Sequence, residues 1–313
     1  MVKRYTQGGL GLTRRRELEE HRHKLGEIRD IMSSMKTLAY METRKLSRFL
    51  DNQQQIVKDI EAMAADFISF FPETLPASEE RIKETTDVYL LIGSERGFCG
   101  NFNETLVPAM ESCIKEGTNN KSILIAIGHK LHIVLENDSR VITFIEGANV
   151  VEEIESVLMH VADALVSLQA THPTLSLYVL YHGESHGNVR PDDEQQILMQ
   201  KLLPPFQHYL DKEPTHPHKP VLNVTPEKFL LELIDHYLLA SLHEILFTSL
   251  MAENHRRVLH LEGAVQHMDD KNNELISKCN ALRQEEIIEE IEVILLSTTG
   301  LDVDQNKRSS IGD

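Results

Sequence analysis

The chain has 313 residues, 26 % charged and 41 % hydrophobic, with 49 Asp/Glu against 32 Lys/Arg and a formal net charge of −17. That balance supports a buried core and argues against a general nucleic-acid binder, which needs a basic surface for the phosphate backbone. No apolar run reaches the roughly 20 residues that span a bilayer.

The charge is uneven. Residues 1–48 hold twelve Lys/Arg and six Asp/Glu, or +6, which leaves −23 for the rest. This basic segment is expected to face an acidic protein surface. Its start, Met1–Arg16, lacks the apolar stretch of a secretory signal. Cys99, Cys113 and Cys279 are too widely spaced for a metal or disulfide pattern, which fits a reducing compartment.

Residues 1–12 contain Gly8, Gly9 and Gly11 and read as a mobile leader, with Thr13 as N-cap of a helix over 13–71 that Pro72 ends. In that helix, sixteen positions from Leu18 to Phe70 alternate steps of three and four. Thirteen are apolar, the exceptions being His21, Glu42 and Gln53. A Pro/Glu/Ser-rich link is expected over 72–84.

The middle, 85–222, alternates strand-like and helix-like runs. Strands are predicted at 87–92, 122–127, 140–145 and 175–181, and helices at 103–115, 128–137 and 151–169. This βαβα order predicts an α/β domain with a parallel sheet. Residues 187–222 carry six prolines and read as loop, with a helical piece around 193–203.

A last helix is predicted over 226–299, opened by Pro226 in its first turn, and a polar tail over 300–313. Val258, Leu261, Val265, Met268, Asn272, Leu275, Cys279 and Leu282 repeat the three-four rhythm. The two heptad segments are expected to bury their seams against each other, giving a rod that carries a domain. Beyond Leu282 the pattern changes: Ile287, Ile288, Ile291, Val293, Ile294, Leu295 and Leu296 spread around the helix. Burying those side chains would stabilise by roughly 10–20 kcal/mol, so a partner is expected to sheath this tip.

Chemistry is sparse. Gly93-Ser-Glu-Arg-Gly-Phe-Cys-Gly100 follows the first strand but matches neither a dinucleotide nor a P-loop fingerprint, and it reads as a tight structural turn. A catalytic Cys99 lacks a relevant His/Asn pair. The pairs His236/His243 and His260/His267 stand seven residues apart, about 10 Å on a helix and too far for one zinc. His21/His23 and His216/His218 read as surface pairs, and Glu285-Glu286 with Glu289-Glu290 lie on a helix without a pocket. No active site, cofactor site or metal site is visible.

Three stretches carry a family resemblance over about 14–301. Ile31-Met-Ser-Ser-Met-Lys-Thr-Leu-Ala39, Ser94-Glu-Arg-Gly-Phe-Cys-Gly-Asn-Phe-Asn103 and Asn280-Ala-Leu-Arg-Gln-Glu-Glu-Ile-Ile-Glu-Glu-Ile291, together with Ala252-Glu253 and Arg257, resemble the motifs of the γ subunits of F-type ATP synthases. The resemblance implies a long antiparallel coiled coil of the N- and C-terminal helices with a central Rossmann-like parallel-sheet domain. It further implies a non-catalytic central-stalk rotor that couples H+ or Na+ flow through a c-ring to ATP synthesis or hydrolysis in an α3β3 ring. The implied partners are the α and β subunits, the ε subunit and the c-ring. ATP and Mg2+ bind the α and β subunits, and this subunit holds no cofactor. Membrane association would run through the c-ring alone, on the cytoplasmic side of a bacterial plasma membrane.

At positions the family uses against the ring stand Met35, Lys36, Arg257, Arg283, Gln284 and Glu290, with Ile287, Ile291, Ile294 and Leu295 in the apolar tip. Glu42, Ala281 and Ile288 depart from the family pattern. Glu285-Glu286, the histidine content and the 300–313 tail resemble the alternative N-type bacterial ATPases. The absence of an inserted dithiol segment argues against a chloroplast-style redox switch. Two other readings stand beside the rotor: a coiled-coil structural adaptor, and a nucleotide-binding α/β enzyme with coiled-coil arms.

Overall fold

The computed structural model describes residues 5–75, 86–116, 122–183, 196–210 and 218–309, with backbone alone for 5–13, 116 and 296–309. The chain divides into two compact units, Met1–Lys36 with Leu261–Asp313, and Thr37–His260. Helix α1 (Tyr5–Phe70) and the last helix, α5 (Pro226–Ser309), contribute segments to both.

In the Thr37–His260 unit, β1 (Thr86–Ile92), β2 (Ser122–Ile127), β3 (Val141–Ile145), β4 (Leu175–Gly183) and β5 (Gln196–Leu203) form one sheet in the order β3-β2-β1-β4-β5. The first three pairings are parallel and β4–β5 is antiparallel. Helices α2 (Phe102–Glu116), α3 (His129–Leu135) and α4 (Ile154–Thr171) make the crossovers.

Every residue of β1 is buried, as expected of a central strand covered on both faces. Alternate side chains therefore feed two cores. Val88, Leu90 and Ile92 pack with α4, α1 and α5, while Tyr89 and Leu91 pack with Leu106 and Met110 of α2 and Leu131 of α3. The first core closes where Phe67 meets Phe71 and Phe229, at centroid distances of 4.9 and 4.8 Å.

Four strands and three helices fall where periodicity places them, within a few residues. Other expectations are corrected. Within the piece predicted helical around 193–203, Gln196–Leu203 is an antiparallel edge strand. Its Gln, Leu, Met and Lys favour helix, yet pairing with β4 puts Leu198 and Leu202 on one core and Ile197 on the other, and packing overrides propensity. The sheet is accordingly mixed. The leader is also corrected, because α1 already begins at Tyr5, so Thr13 lies within the helix. Glycines weaken a helix by about 1 kcal/mol each but do not block it as proline does. Likewise α5 continues to Ser309, past the predicted end. Residues 76–85, 184–195, 211–217 and 310–313, which hold much of the expected link, loop and tail, lie outside the described residues.

The α1 seam also shifts. Leu46, Gln53, Ile60 and Phe67 face inward as predicted, but the alternate positions move one residue on, to Leu50, Val57, Ala64 and Phe71. Phe49, Ile56 and Met63 are about half exposed (48, 47 and 52 %). Leu50→Ala is therefore expected to lower stability by about 2–4 kcal/mol, and Ile56→Ala by less than about 1 kcal/mol. Urea unfolding midpoints of the two variants check this register, and equal losses would contradict it.

Candidate functional site

The turn after β1 sits where the strand order reverses between β1 and β4, the crevice in which doubly wound sheets hold nucleotides. In this chain the crevice is filled from within. Ser94 N donates to Asn103 Oδ1 at 2.9 Å, and Asn103 Nδ2 returns a bond to Ser94 Oγ at 2.9 Å. Glu95 reaches across to accept from His129 N at the start of α3 (2.9 Å) and from Gly147 N (2.7 Å). Phe98 and Gly100 both take left-handed backbone, at φ 64° and 62°. That conformation is cheap for glycine and strained for phenylalanine.

Against this turn α5 supplies a carboxylate. The Glu253 oxygens accept from Glu95 N and Arg96 N, each at 3.4 Å. Arg257, one turn on, pairs with Glu253 and donates to Gly97 O (3.2 Å), Asn254 Oδ1 (2.9 Å) and Cys99 Sγ (3.3 Å). Both side chains are buried, at 5 and 7 % exposure. Desolvation pushes the Glu253 carboxyl above its ordinary range, and Arg257 opposes that push.

Arg257, expected against a partner, is buried within this unit and paired with Glu253. Cys99 is buried beside it. Burial, aided by Glu253, pushes its thiol up to about 12, so it carries no thiolate near neutrality.

His182, at the end of β4, bonds Phe102 O through Nε2 at 2.8 Å and lies 3.9 Å from the Phe102 ring centre. Burial brings its pKa down to about 4, with Arg256 adding to the effect, so it is neutral at pH 7. Unfolded, the imidazole titrates near 6.5. The unfolded chain thus binds the extra proton first, and stability present above about pH 6.5 is lost as pH falls towards 4, by about 3 kcal/mol. Urea unfolding across that range checks this, and a His182→Phe variant is expected to lose most of the slope.

A cavity of about 800 Å3 between α4, β4, β5 and α5 is lined mainly by apolar residues such as Leu158, Leu165, Leu238 and Leu242. Among the described residues no group of three His, Cys, Asp or Glu is placed to hold a metal ion. His243, half-buried, meets Gln53 at 2.7 Å, and His216 lies outside the described residues.

The other expected site residues belong to the Met1–Lys36/Leu261–Asp313 unit. Here α1 and α5 run antiparallel. Ion pairs Arg15–Glu286 (3.4 Å), Arg29–Asp269 (3.0 Å) and Lys36–Glu262 (2.6 Å) step down one helix as they climb the other. Leu261, Val265, Leu275 and Cys279 are buried between them, on the predicted seam. Met35 and Lys36 are half-buried, and Lys36 is engaged by Glu262 within the unit. Arg283, Gln284 and Glu290 are exposed.

So are Ile287, Ile288, Ile291, Ile294 and Leu295, at 47–60 %. At roughly 100° per residue Ile288, Ile291 and Leu295 face away from the α1-facing line of Leu275, Cys279, Leu282 and Glu286, while Ile287 and Ile294 lie on its flanks. Leu296 lies outside the residues whose side chains are described. The departures are placed too: Glu42 accepts from Val151 N at 3.4 Å, while Ala281 and Ile288 are exposed. Sequence reasoning missed β5, the reach of Glu95 and the clasp on the turn. Only Glu253 and Arg257 at four-residue spacing gave a signal for the last.

A family model described as ATP synthase matches residues 14–301. An ATP synthase gamma chain of Clostridium botulinum (strain Loch Maree / Type A3) is 25 % identical over 274 residues, covering 86 % of this chain and 91 % of that protein. One from Rickettsia akari (strain Hartford) is 24 % identical over 282 residues, covering 85 and 94 %. The same fold occurs in cryo-EM structures of the Euglena gracilis mitochondrial ATP synthase. The rotor in rotational state 1 matches with a TM-score of 0.56 and 16 % identity, covering 88 % of this chain and 99 % of that one. The OSCP/F1/c-ring assembly in rotational state 3 matches at 0.57 and 18 %, covering 94 and 96 %. With its turn closed by its own carboxylate and its apolar tip turned outward, the chain belongs to the ATP synthase gamma-chain family.

Proposed function

We propose that the chain is the non-catalytic rotor of an ATP synthase, turning inside a ring of three α and three β subunits. It couples H+ or Na+ flow through a c-ring to ATP synthesis or hydrolysis in that ring. The observation that carries this reading is the tip of α5, where Ile287, Ile288, Ile291, Ile294 and Leu295 are 47–60 % exposed. Full burial of such side chains is worth roughly 1.5–3 kcal/mol each, which favours an apolar sleeve. Basic residues 14–48 and exposed Arg283 complement an acidic inner surface. The remaining partners are an ε subunit and the c-ring, and no described helix is long and apolar enough to cross a membrane. In the rotor reading, attachment is peripheral, through the c-ring, on the cytoplasmic side of a bacterial plasma membrane.

The clasped turn argues against the nucleotide-binding alternative, because a buried carboxylate already accepts from two amides of the turn after β1. Titrating the chain with Mg-ATP in a calorimeter is expected to give no heat of binding, and submillimolar affinity would overturn the non-catalytic reading. Co-expression with α and β subunits separates rotor from adaptor. A tagged chain is expected to bring down both, and its failure to do so would favour the adaptor.

A further inference from the structure

Resting on the rotor reading, we infer that the buried Glu253–Arg257 clasp on the Ser94–Gly100 turn is the coupling through which the sheet domain drives α5. The sheet domain touches α5 in two different ways. Along residues 230–250 the contact is mainly apolar, through side chains such as Leu242, Leu246 and Phe247, with Tyr237 also hydrogen-bonded to Gln200 of β5. Close apolar packing seats that face of the helix, but the attraction itself is non-directional. At Glu253 and Arg257 the contact is polar and oriented. Two backbone amides of the turn point into one carboxylate, and one guanidinium reaches the Gly97 carbonyl and the Cys99 sulfur. Such bonds weaken steeply with misalignment, so a twist of α5 against the turn is resisted from several directions.

The turn is itself anchored on the domain side. Ser94 O accepts from Lys130 N (3.0 Å), Asn103 of α2 holds Ser94, and Glu95 holds the start of α3 and Gly147. A load on the sheet therefore reaches α5 through consecutive hydrogen bonds. Glu253 and Arg257 are also the last such grip before the unit ends at His260. Arg256 to Asn101 (3.3 Å) adds an exposed bond beside it. A buried ion pair of this kind contributes little net stability compared with well-packed apolar side chains. Its directionality is what an apolar replacement would lack.

The test uses the whole complex in sealed vesicles, with ATP hydrolysis and ion pumping measured together. A Glu253→Met/Arg257→Met double variant keeps volume and burial but removes the directional bonds. Arg257→Lys keeps the charge but loses the fork, and it serves if the double variant does not fold. Either variant is expected to assemble and to hydrolyse ATP, while ions pumped per ATP fall at least about threefold, the low end of such coupling effects. An unchanged ratio, with or without a uniform drop in both rates, overturns the clasp as the coupling element. A complex with the unsubstituted chain that hydrolyses ATP without pumping overturns the rotor reading, and the clasp with it.

Discussion

Replacing Arg257 by leucine is expected to lower the stability of the isolated chain by about 3–5 kcal/mol, because it leaves Glu253 charged and buried without a partner. Few substitutions in this chain carry a larger expected effect. The carboxyl is already pushed up by desolvation, and the guanidinium opposes that push. Without the guanidinium, Glu253 binds a proton in the folded state at a pH where the unfolded carboxyl has lost it. Stability of the variant is therefore greatest below the unfolded carboxyl range, near 4.5, and declines as pH rises through the raised folded value. Adding Glu253→Gln is expected to restore much of the loss, since a neutral amide still accepts from Glu95 N or Arg96 N. Urea unfolding of the single and double variants, as a double-mutant cycle, measures this. A loss below about 1 kcal/mol for the single variant would mean the pair is not buried as described.

The tip gives the opposite combination, a large effect on assembly and almost none on folding. Substituting Ile287, Ile291 and Ile294 together by asparagine removes apolar side chains that are about half exposed in the chain alone. The chain's own unfolding free energy is expected to move by no more than about 0.5 kcal/mol per site. Affinity for a ring of α and β subunits should fall by a factor of about 100 to 10,000, which corresponds to about 3–6 kcal/mol. Sedimentation or pull-down with purified ring measures the second quantity and thermal unfolding the first. Undiminished binding would remove the tip from the interface.

How much of this was legible in the sequence differs between local and distant features. The heptad seam of α5 was readable because one helix buries one stripe, and Leu261, Val265, Leu275 and Cys279 all lie on it. In α1 the apolar face is wider than a seam, with Phe49 beside Leu50 and Ile56 beside Val57. Spacing alone could not say which of each pair would face inward. The edge strand β5 was misread because its composition favours helix and its strand character comes from pairing with β4. In the Ser94–Asn103 stretch a structural turn was legible from the mismatch to any phosphate fingerprint. Its partner was not: Glu253 stands 158 residues from Glu95, and no local pattern announces that bond. The same distance explains Arg257, whose charge and motif pointed outward until the fold placed it inside. The tip residues were readable because seven apolar side chains among carboxylates break the heptad pattern, whatever covers them.

The rotor itself is tested most directly by watching it turn. With the α3β3 ring fixed to a surface and a bead attached to the sheet domain of this chain, the account predicts sustained rotation in one direction when ATP is supplied, halting when ATP is withdrawn. A ring that hydrolyses ATP at full rate while the attached domain shows only undirected fluctuation would contradict it.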